Sequence, residues 1–386
     1  MRDTKTKIAI CAASLCISSA LIISAVLAQI SATFPEVGEA KVQLIMSVSG
    51  VASFLLTLIA GGMSGKFQQK HILAAGLISS SLGILPLFWR KSIISFYLAG
   101  LFTGIGQGIL LVATASSISI FFQGETRNKM FGYNVALSDG GLTILLAVAG
   151  WLSVKNWIHA FYAYLLLVPA LLIVIFCMPG NDPKLVSGDE ETEEKVPVQG
   201  TSMLIAVFSF VYQLSYYTWV MNTSIYVADK SIGSASQAAF ALSLSMAAGM
   251  ASGMIFHYVY RIFKFNIIAA GCILTGLGFI MMILMPDYKI LLAAGIIVGA
   301  GWNWVAAGGN SLIAELVPMR QVSSAQGIKG AAMSIACAVS APIVNFISGL
   351  LTKNDSMIPF AVSTVILAIC TVTAFIWAGC MKKNVK

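Results

Sequence analysis

Residues 72–76 read Ile72-Leu73-Ala74-Ala75-Gly76, with Leu82-Gly83 following. Residues 267–271 read Ile267-Ile268-Ala269-Ala270-Gly271, with Leu277-Gly278 following. The two stretches lie 195 positions apart, and two further matches share that offset. Ala99-Gly100, Gly104 and Gly106 match Ala294-Gly295, Gly299 and Gly301, and Gly132 matches Gly327. One such match is chance-level, but three at one offset predict a duplicated unit.

The setting of the repeat is apolar. Of 386 residues, 58% are hydrophobic and 10% charged, and the mean hydropathy is +0.89. A soluble chain carries about a quarter charged residues to solvate its surface. This composition excludes a soluble enzyme, a disordered chain and a nucleic-acid binder; the net charge of +8 is scattered singly among loops. Lipid offers no partner to free backbone groups, so a spanning chain is a helix bundle or a closed barrel. Barrel strands alternate over roughly 10 positions, whereas the apolar runs here are continuous over about 20 residues, the length of a membrane helix.

Twelve spans are predicted: 8–31, 41–61, 71–89, 93–121, 130–152, 159–178, 203–228, 236–259, 265–285, 290–314, 323–349 and 358–380. The first is too long for a signal-peptide core and reads as uncleaved. With a cytoplasmic N-terminus, fifteen of the 23 Lys and Arg fall in inside segments and seven in outside loops, a bias that puts both termini inside. The longest connection, 179–202, holds Asp189 to Glu194 as DEETEE and reads as a flexible acidic linker. It divides the chain into an N-terminal six-helix half, 1–178, and a C-terminal half, 203–386. Parallel six-helix repeats are a transporter architecture.

Cys11, Cys16, Cys177, Cys272, Cys337, Cys370 and Cys380 form no CxxC pair and read as small core residues. His71, His159 and His257 are far apart, so no metal site and no cofactor are expected.

Two loops and one span carry a family likeness. The loop after span 2 reads Gly62-Met63-Ser64-Gly65-Lys66-Phe67-Gln68-Gln69-Lys70, and the loop before span 5 reads Glu125-Thr126-Arg127-Asn128-Lys129. Span 5 holds Gly132, Ala136-Leu137 and Gly140-Gly141. With the 6 + 6 topology, these resemble the major facilitator superfamily over the whole chain. Gly65 stands where that family has an aspartate, and Ala136-Leu137 where its drug/proton antiporter branch has Gly-Pro. The resemblance implies an all-α membrane fold. It also implies a conformational latch at Gly62, Lys66, Lys70 and Arg127, and a central cavity lined by spans 1, 4, 7 and 10.

Within the spans, several residues carry possible chemistry. Gly100, Gly104 and Gly108, with Gly295 and Gly299 repeating them, are spaced for close helix packing, as are Gly132, Gly140 and Gly141. Asp139 lies near mid-span; it is either a proton-coupling carboxyl or a structural hydrogen bonder. Lys329, the basic residue of span 11, either snorkels to the interface or forms the counter-charge for an anion. Thr103, Gln107 and Thr114 in span 4, Gln213, Tyr216, Tyr217 and Asn222 in span 7, and Trp302, Asn303 and Asn310 in span 10 are cavity candidates. For Trp and Tyr the competing reading is an interfacial belt.

The function expected is secondary transport of a small amphipathic organic solute by alternating access, proton-coupled, with efflux favoured. The rival is uptake or exchange of a small organic anion with Lys329 as counter-charge. A membrane enzyme or a sensor is the other-class alternative, disfavoured because the loops are short and poor in His, Asp and Glu. No phosphate-binding loop of the G-x-x-x-x-G-K-[ST] type occurs in the sequence. The expected partners are the substrate, protons and the bilayer of a cell membrane, with no nucleic acid and a monomeric state.

Overall fold

The computed structural model describes residues 2–36, 39–63, 67–89, 92–154, 156–180, 200–351 and 356–384. Two sequence expectations, the acidic run of the linker and Lys66, lie outside these residues. Among the described residues all regular structure is helical, as a chain solvated by lipid requires.

The helices follow the apolar runs. Span 1 is α1 (Arg2–Leu15), a 3₁₀ stretch (Ser19–Val26) and α2 (Leu27–Thr33). Span 2 is α3 (Glu39–Met63). Span 3 is α4 (Gln69–Ser81), tightened into 3₁₀ over Leu82–Leu87, where Pro86 removes a backbone donor. Then come α5 (Ile93–Phe121), α6 (Gly124–Ser153), α7 (Leu167–Cys177) after a 3₁₀ stretch (Trp157–Leu166), α8 (Gly200–Asp229) and α9 (Ala235–Met254). The eighth span ends in a separate short helix, α10 (Phe256–Phe263). It is followed by α11 (Ile267–Leu284), α12 (Tyr288–Leu316), α13 (Met319–Leu351) and α14 (Ile358–Asn384). Ten helical segments among the described residues are long and apolar enough to cross a membrane; α9 and α13 are helices outside those ten.

Several helix starts are capped by the residue types that compete for free backbone N–H groups. Ser92 accepts from Ile94 N at 3.3 Å, and Asp287 accepts from Lys289 N at 2.7 Å. Ser234 and Gln237 form a reciprocal capping box on α9.

The chain forms two compact units. Unit 1 is residues 1–123, 137–199 and 318–331; unit 2 is 124–136, 200–317 and 332–386. In unit 1, α5 packs between α3 and α4, and α7 lies against α1 and α4. In unit 2, α12 packs between α9 and α11, and α14 lies against α8 and α11. The pairings correspond under a shift of six spans.

The repeat survives at atomic detail. A Cβ on Gly106 would sit 2.6 Å from both Gly76 O and Ser80 N. One on Gly301 would sit 2.8 Å from Gly271 O and 3.2 Å from Thr275 N. Residues 76, 80 and 106 become 271, 275 and 301 at the same offset of 195. Gly83 faces the Thr103 methyl (2.6 Å) as Gly278 faces a Val298 methyl (2.7 Å). On its other side α5 lays Gly100, Gly104 and Gly108 on the carbonyls of Ile45, Ser49 and Ser53, four residues apart on both helices. Gly295 and Gly299 meet the carbonyls of Ala241 and Ser245 likewise. Small residues at this spacing let backbones touch, which is how helices associate where lipid tails are as apolar as leucine.

Gly132 of α6 meets Gly253 O and Phe256 Cβ within unit 2, and Gly327 of α13 meets Thr57 O and Gly61 Cα within unit 1. These two residues of the repeat therefore mark two helix crossings built the same way.

A Cβ on Gly104 overlaps the Ser49 carbonyl, whereas one on Gly50 meets nothing within 4 Å. Gly104→Val is expected to destabilise the protein in detergent by about 1–3 kcal/mol or more, as overpacking does. Gly50→Ala is expected to be neutral or slightly stabilising. Thermal unfolding of the two variants beside the parent checks this; equal midpoints would remove the close-packing argument.

Candidate substrate site

The span 7 and span 10 candidates converge within unit 2. On α8, Tyr212, Gln213, Tyr216 and Tyr217 lie one turn apart, so they share a side of the helix. Tyr216 stacks on Trp302 of α12 at 4.6 Å between ring centroids, with planes 16° apart. Tyr212 stacks on both at 6.4 Å, and Tyr217 meets Tyr216 edge-on at 6.0 Å. Hydrogen bonds that hold α8 in register include those of the Tyr212 hydroxyl with Thr275 Oγ1 (2.8 Å) and of Thr218 with Ser363 (2.7 Å). Trp219 Nε1 donates to Ser245 Oγ at 3.1 Å.

The polar members of this wall are incompletely partnered. Gln213 is 5% exposed, and its Oε1 has no hydrogen-bond partner among the described residues. The Tyr217 hydroxyl lies beside the Gln213 amide and the Cys337 thiol of α13. Asn222, also buried, leaves its Nδ2 unpartnered among the described residues. Buried polar groups normally find partners, and an orphan costs about 1–3 kcal/mol. An open acceptor beside an aromatic stack can take an N–H or O–H from a ligand whose apolar part covers the rings.

Other candidates sit elsewhere. Thr103 and Thr114 are wholly buried, and their hydroxyls return to their own helix, to Ala99 O and Leu110 O at 2.8 Å each. Gln107 between them is half-buried. Asn303 points to α9, where its Nδ2 occupies the space a Cβ on Gly253 would need (2.6 Å). It is wholly buried, with neither amide atom hydrogen-bonded among the described residues. Asn310 is buried further along α12.

Asp139 is half-buried in the part of α6 that belongs to unit 1. The residues around it are pinned to span 1. Ser138 pairs with Ser18 at 3.0 Å, and Gly141 packs on Leu15 O. Gly140 is half-buried. Lys329 is 3% exposed in the first turns of α13, so its side chain is enclosed rather than extended into water. Its neighbours Gly327 and Gly330 pack against Thr57 of α3, and Gly330 also against Leu111 of α5.

Of the latch residues, Gly62 has no atom within 4 Å of the position a Cβ would take, and Lys70 is half-buried in the first turn of α4. Arg127 Nη1 donates to Ala314 O at 2.9 Å, within unit 2. That carbonyl is one of the last four of α12, which have no partner inside their helix and carry its negative dipole end. Next to it the Tyr260 hydroxyl donates to Glu315 Oε2 at 2.6 Å. Tyr260 escaped the sequence reading: it lies 55 residues from Glu315 on a short helix, with no spacing signal joining them.

Among the described residues no three His, Cys, Asp or Glu side chains group as a metal site. Comparison with known proteins places this arrangement. Residues 8–288 match the family model described as Major Facilitator Superfamily. The class B tetracycline resistance protein of Escherichia coli is 30% identical over 151 residues, 38% of this chain; the match spans 36% of that protein's length. Two solved structures share the fold over nearly the full chain at low identity. The human organic anion transporter MFSD10 (TETRAN) has a TM-score of 0.78 at 12% identity, over 96% of this chain and 98% of that one. A bacterial homologue of the iron transporter ferroportin, in its outward-facing state, has a TM-score of 0.75 at 13% identity, over 98% and 100%. With ten helical segments among the described residues fit to span a bilayer, an internal repeat and a family match over residues 8–288, this chain belongs to the Major Facilitator Superfamily, whose members are membrane transporters and not enzymes.

Proposed function

We propose that this transporter exports a small amphipathic organic solute by alternating access, in exchange for protons. The observation that carries the substrate class is the wall of Tyr212, Tyr216, Tyr217 and Trp302 around the open acceptor of Gln213. Among the described residues no acidic or basic side chain belongs to that wall, which suits a largely neutral solute with an apolar body and a donor group. Export is favoured by the glycine pattern of span 5 and by the partial match to a tetracycline resistance protein. In this reading residues 1–178 and 203–386 are the two moving halves and 179–202 joins them. The protein is a monomer in the cell membrane, and the positive-inside bias puts both termini in the cytoplasm.

Asp139 is the proton carrier in this reading. A carboxyl within a span is costly when ionised unless it faces protein or a water-filled cavity. It can therefore take a proton on one side and release it on the other as its surroundings change. Arg127, Glu315 and Tyr260 serve as the latch of one end state, holding α6 and α10 to the terminus of α12.

One observation favours a second reading. Lys329 is a lysine enclosed in a span, and such residues mark transport pathways. In this alternative the substrate is a small organic anion and Lys329 is its counter-charge.

Two measurements decide between these readings, and a third tests the latch. In proteoliposomes with an imposed pH gradient, Asp139→Asn is expected to abolish accumulation of an amphipathic fluorescent substrate while leaving its binding within a few-fold. Continued accumulation against the gradient would sink proton coupling through Asp139. Thermal stabilisation by an amphipathic ligand at about 100 times its Kd is worth roughly 2.7 kcal/mol. Trp302→Ala is expected to weaken binding about tenfold, reducing that stabilisation by roughly 1.4 kcal/mol. If stabilisation instead comes only from carboxylates and vanishes in Lys329→Ala, the anion reading replaces the first. For the latch, Tyr260→Phe is expected to cost about 1 kcal/mol, the net worth of its hydrogen bond to Glu315. An unchanged unfolding midpoint would show that this contact contributes nothing.

A further inference from the structure

Seven cysteines are scattered along the sequence, yet the fold brings two of them together from 98 positions apart. Cys272 Sγ of α11 lies 3.7 Å from Cys370 Sγ of α14. The two helices pack side by side in unit 2, and the thiols are 1% and 3% exposed. Nothing in the proposed transport cycle uses them.

We infer that Cys272 and Cys370 form a dithiol site for a trivalent, thiophilic main-group centre carried on a lipid-soluble organic group, an aryl arsenoxide being the simplest example. The spacing carries the assignment. A trivalent pyramidal centre joined to two sulfurs by bonds about as long as Zn–S, roughly 2.3 Å, at an angle of about 95–105° holds them about 3.4–3.7 Å apart. The observed 3.7 Å meets that span with the helices where they are. A disulfide, with S–S near 2.04 Å, would need the sulfurs to close by roughly 1.7 Å. It would also need an oxidant. Zinc prefers four ligands in a structural site, and among the described residues no third metal-ligating side chain joins the pair. A trivalent centre that brings its own organic substituent is complete with these two thiols.

The route in is through lipid. Ile273 and Ile369, each next in sequence to one thiol, are 40% and 61% exposed on an apolar surface. The thiols are buried where α11 packs on α14, and the exposed side chains next to them are apolar, so the approach in this proposal suits an apolar reagent and not a charged one. The reaction is a condensation. Two As–S bonds form, the As=O bond is lost, and the two thiol protons leave with that oxygen as water. Arsenic stays trivalent and no electrons are transferred.

The test uses the reduced, purified full-length protein in detergent, with phenylarsine oxide as the probe. Intact mass spectrometry after removal of excess reagent is expected to show one phenylarsenic adduct per protein, removed by ethane-1,2-dithiol and resistant to a monothiol. Peptide mapping is expected to join the segments containing Cys272 and Cys370. Cys272→Ala and Cys370→Ala are each expected to lose the monothiol-resistant adduct. The variant with Cys11, Cys16, Cys177, Cys337 and Cys380 all changed to Ala is expected to keep it. A monothiol-resistant adduct persisting in either single variant overturns the assignment. So does its absence from the parent protein, or mapping to any other cysteine; the parent readouts stand even if a variant fails to fold.

Discussion

The structure depends on backbone contact between helices at glycine. Inside a bilayer apolar side chains gain nothing by leaving lipid for one another, so helix association rests on close van der Waals approach and interhelical hydrogen bonds. Here the approach is extreme: Gly104 and Gly299 rest on the carbonyls of Ser49 and Ser245, with no room for a single added carbon. Those contacts set α5 against α3 and α12 against α9, and every candidate side chain on α5 and α12 takes its direction from them. Trp302 lies on the same stripe of α12 as Gly295 and Gly299, and it stacks on Tyr216 of α8 beyond the point where those glycines rest on α9.

Because both units are built on the same contacts, the positions where the repeat breaks are informative. At the offset of 195, Gly76, Ser80 and Gly106 have counterparts Gly271, Thr275 and Gly301, which do the same packing. Gln107 instead becomes Trp302, Gly108 becomes Asn303, Asn134 becomes Lys329, and Asp139 becomes Ser334. Packing is thus kept twice, while at these four positions the two copies carry different groups. At Gly108 the space lies on α5 itself; at Asn303 it is supplied by Gly253 of the opposing helix. A duplicated scaffold that holds its own shape can carry different chemistry in each copy without altering its helix crossings.

The aromatic wall and the cluster at the end of α12 use different physics. The wall combines stacked rings with an acceptor that has no donor among the described residues, an arrangement whose polar cost is recovered when a ligand supplies the donor. At the α12 terminus the partners are charged or dipolar: a guanidinium on a free helix carbonyl and a tyrosine hydroxyl on a carboxylate. Contacts of the second kind are strong while formed and are replaced by water when the helices part, which suits an end-state latch.

Composition and run length alone determined that the chain crosses a membrane as helices, because lipid leaves the backbone no alternative. The repeat was legible too, since glycine contacts require glycine at the same offset in both copies. The sharing of one α8 side by Gln213, Tyr216 and Tyr217 followed from helical periodicity. What periodicity cannot carry is which way a face points and what meets it. Thr103 was expected to line a cavity, but its hydroxyl closes on its own backbone and its methyl fills the space over Gly83. Tyr260 with Glu315, and Cys272 with Cys370, are separated by 55 and 98 residues. Only the tertiary structure decided these pairings, because distance along the chain places no limit on which helices pack together.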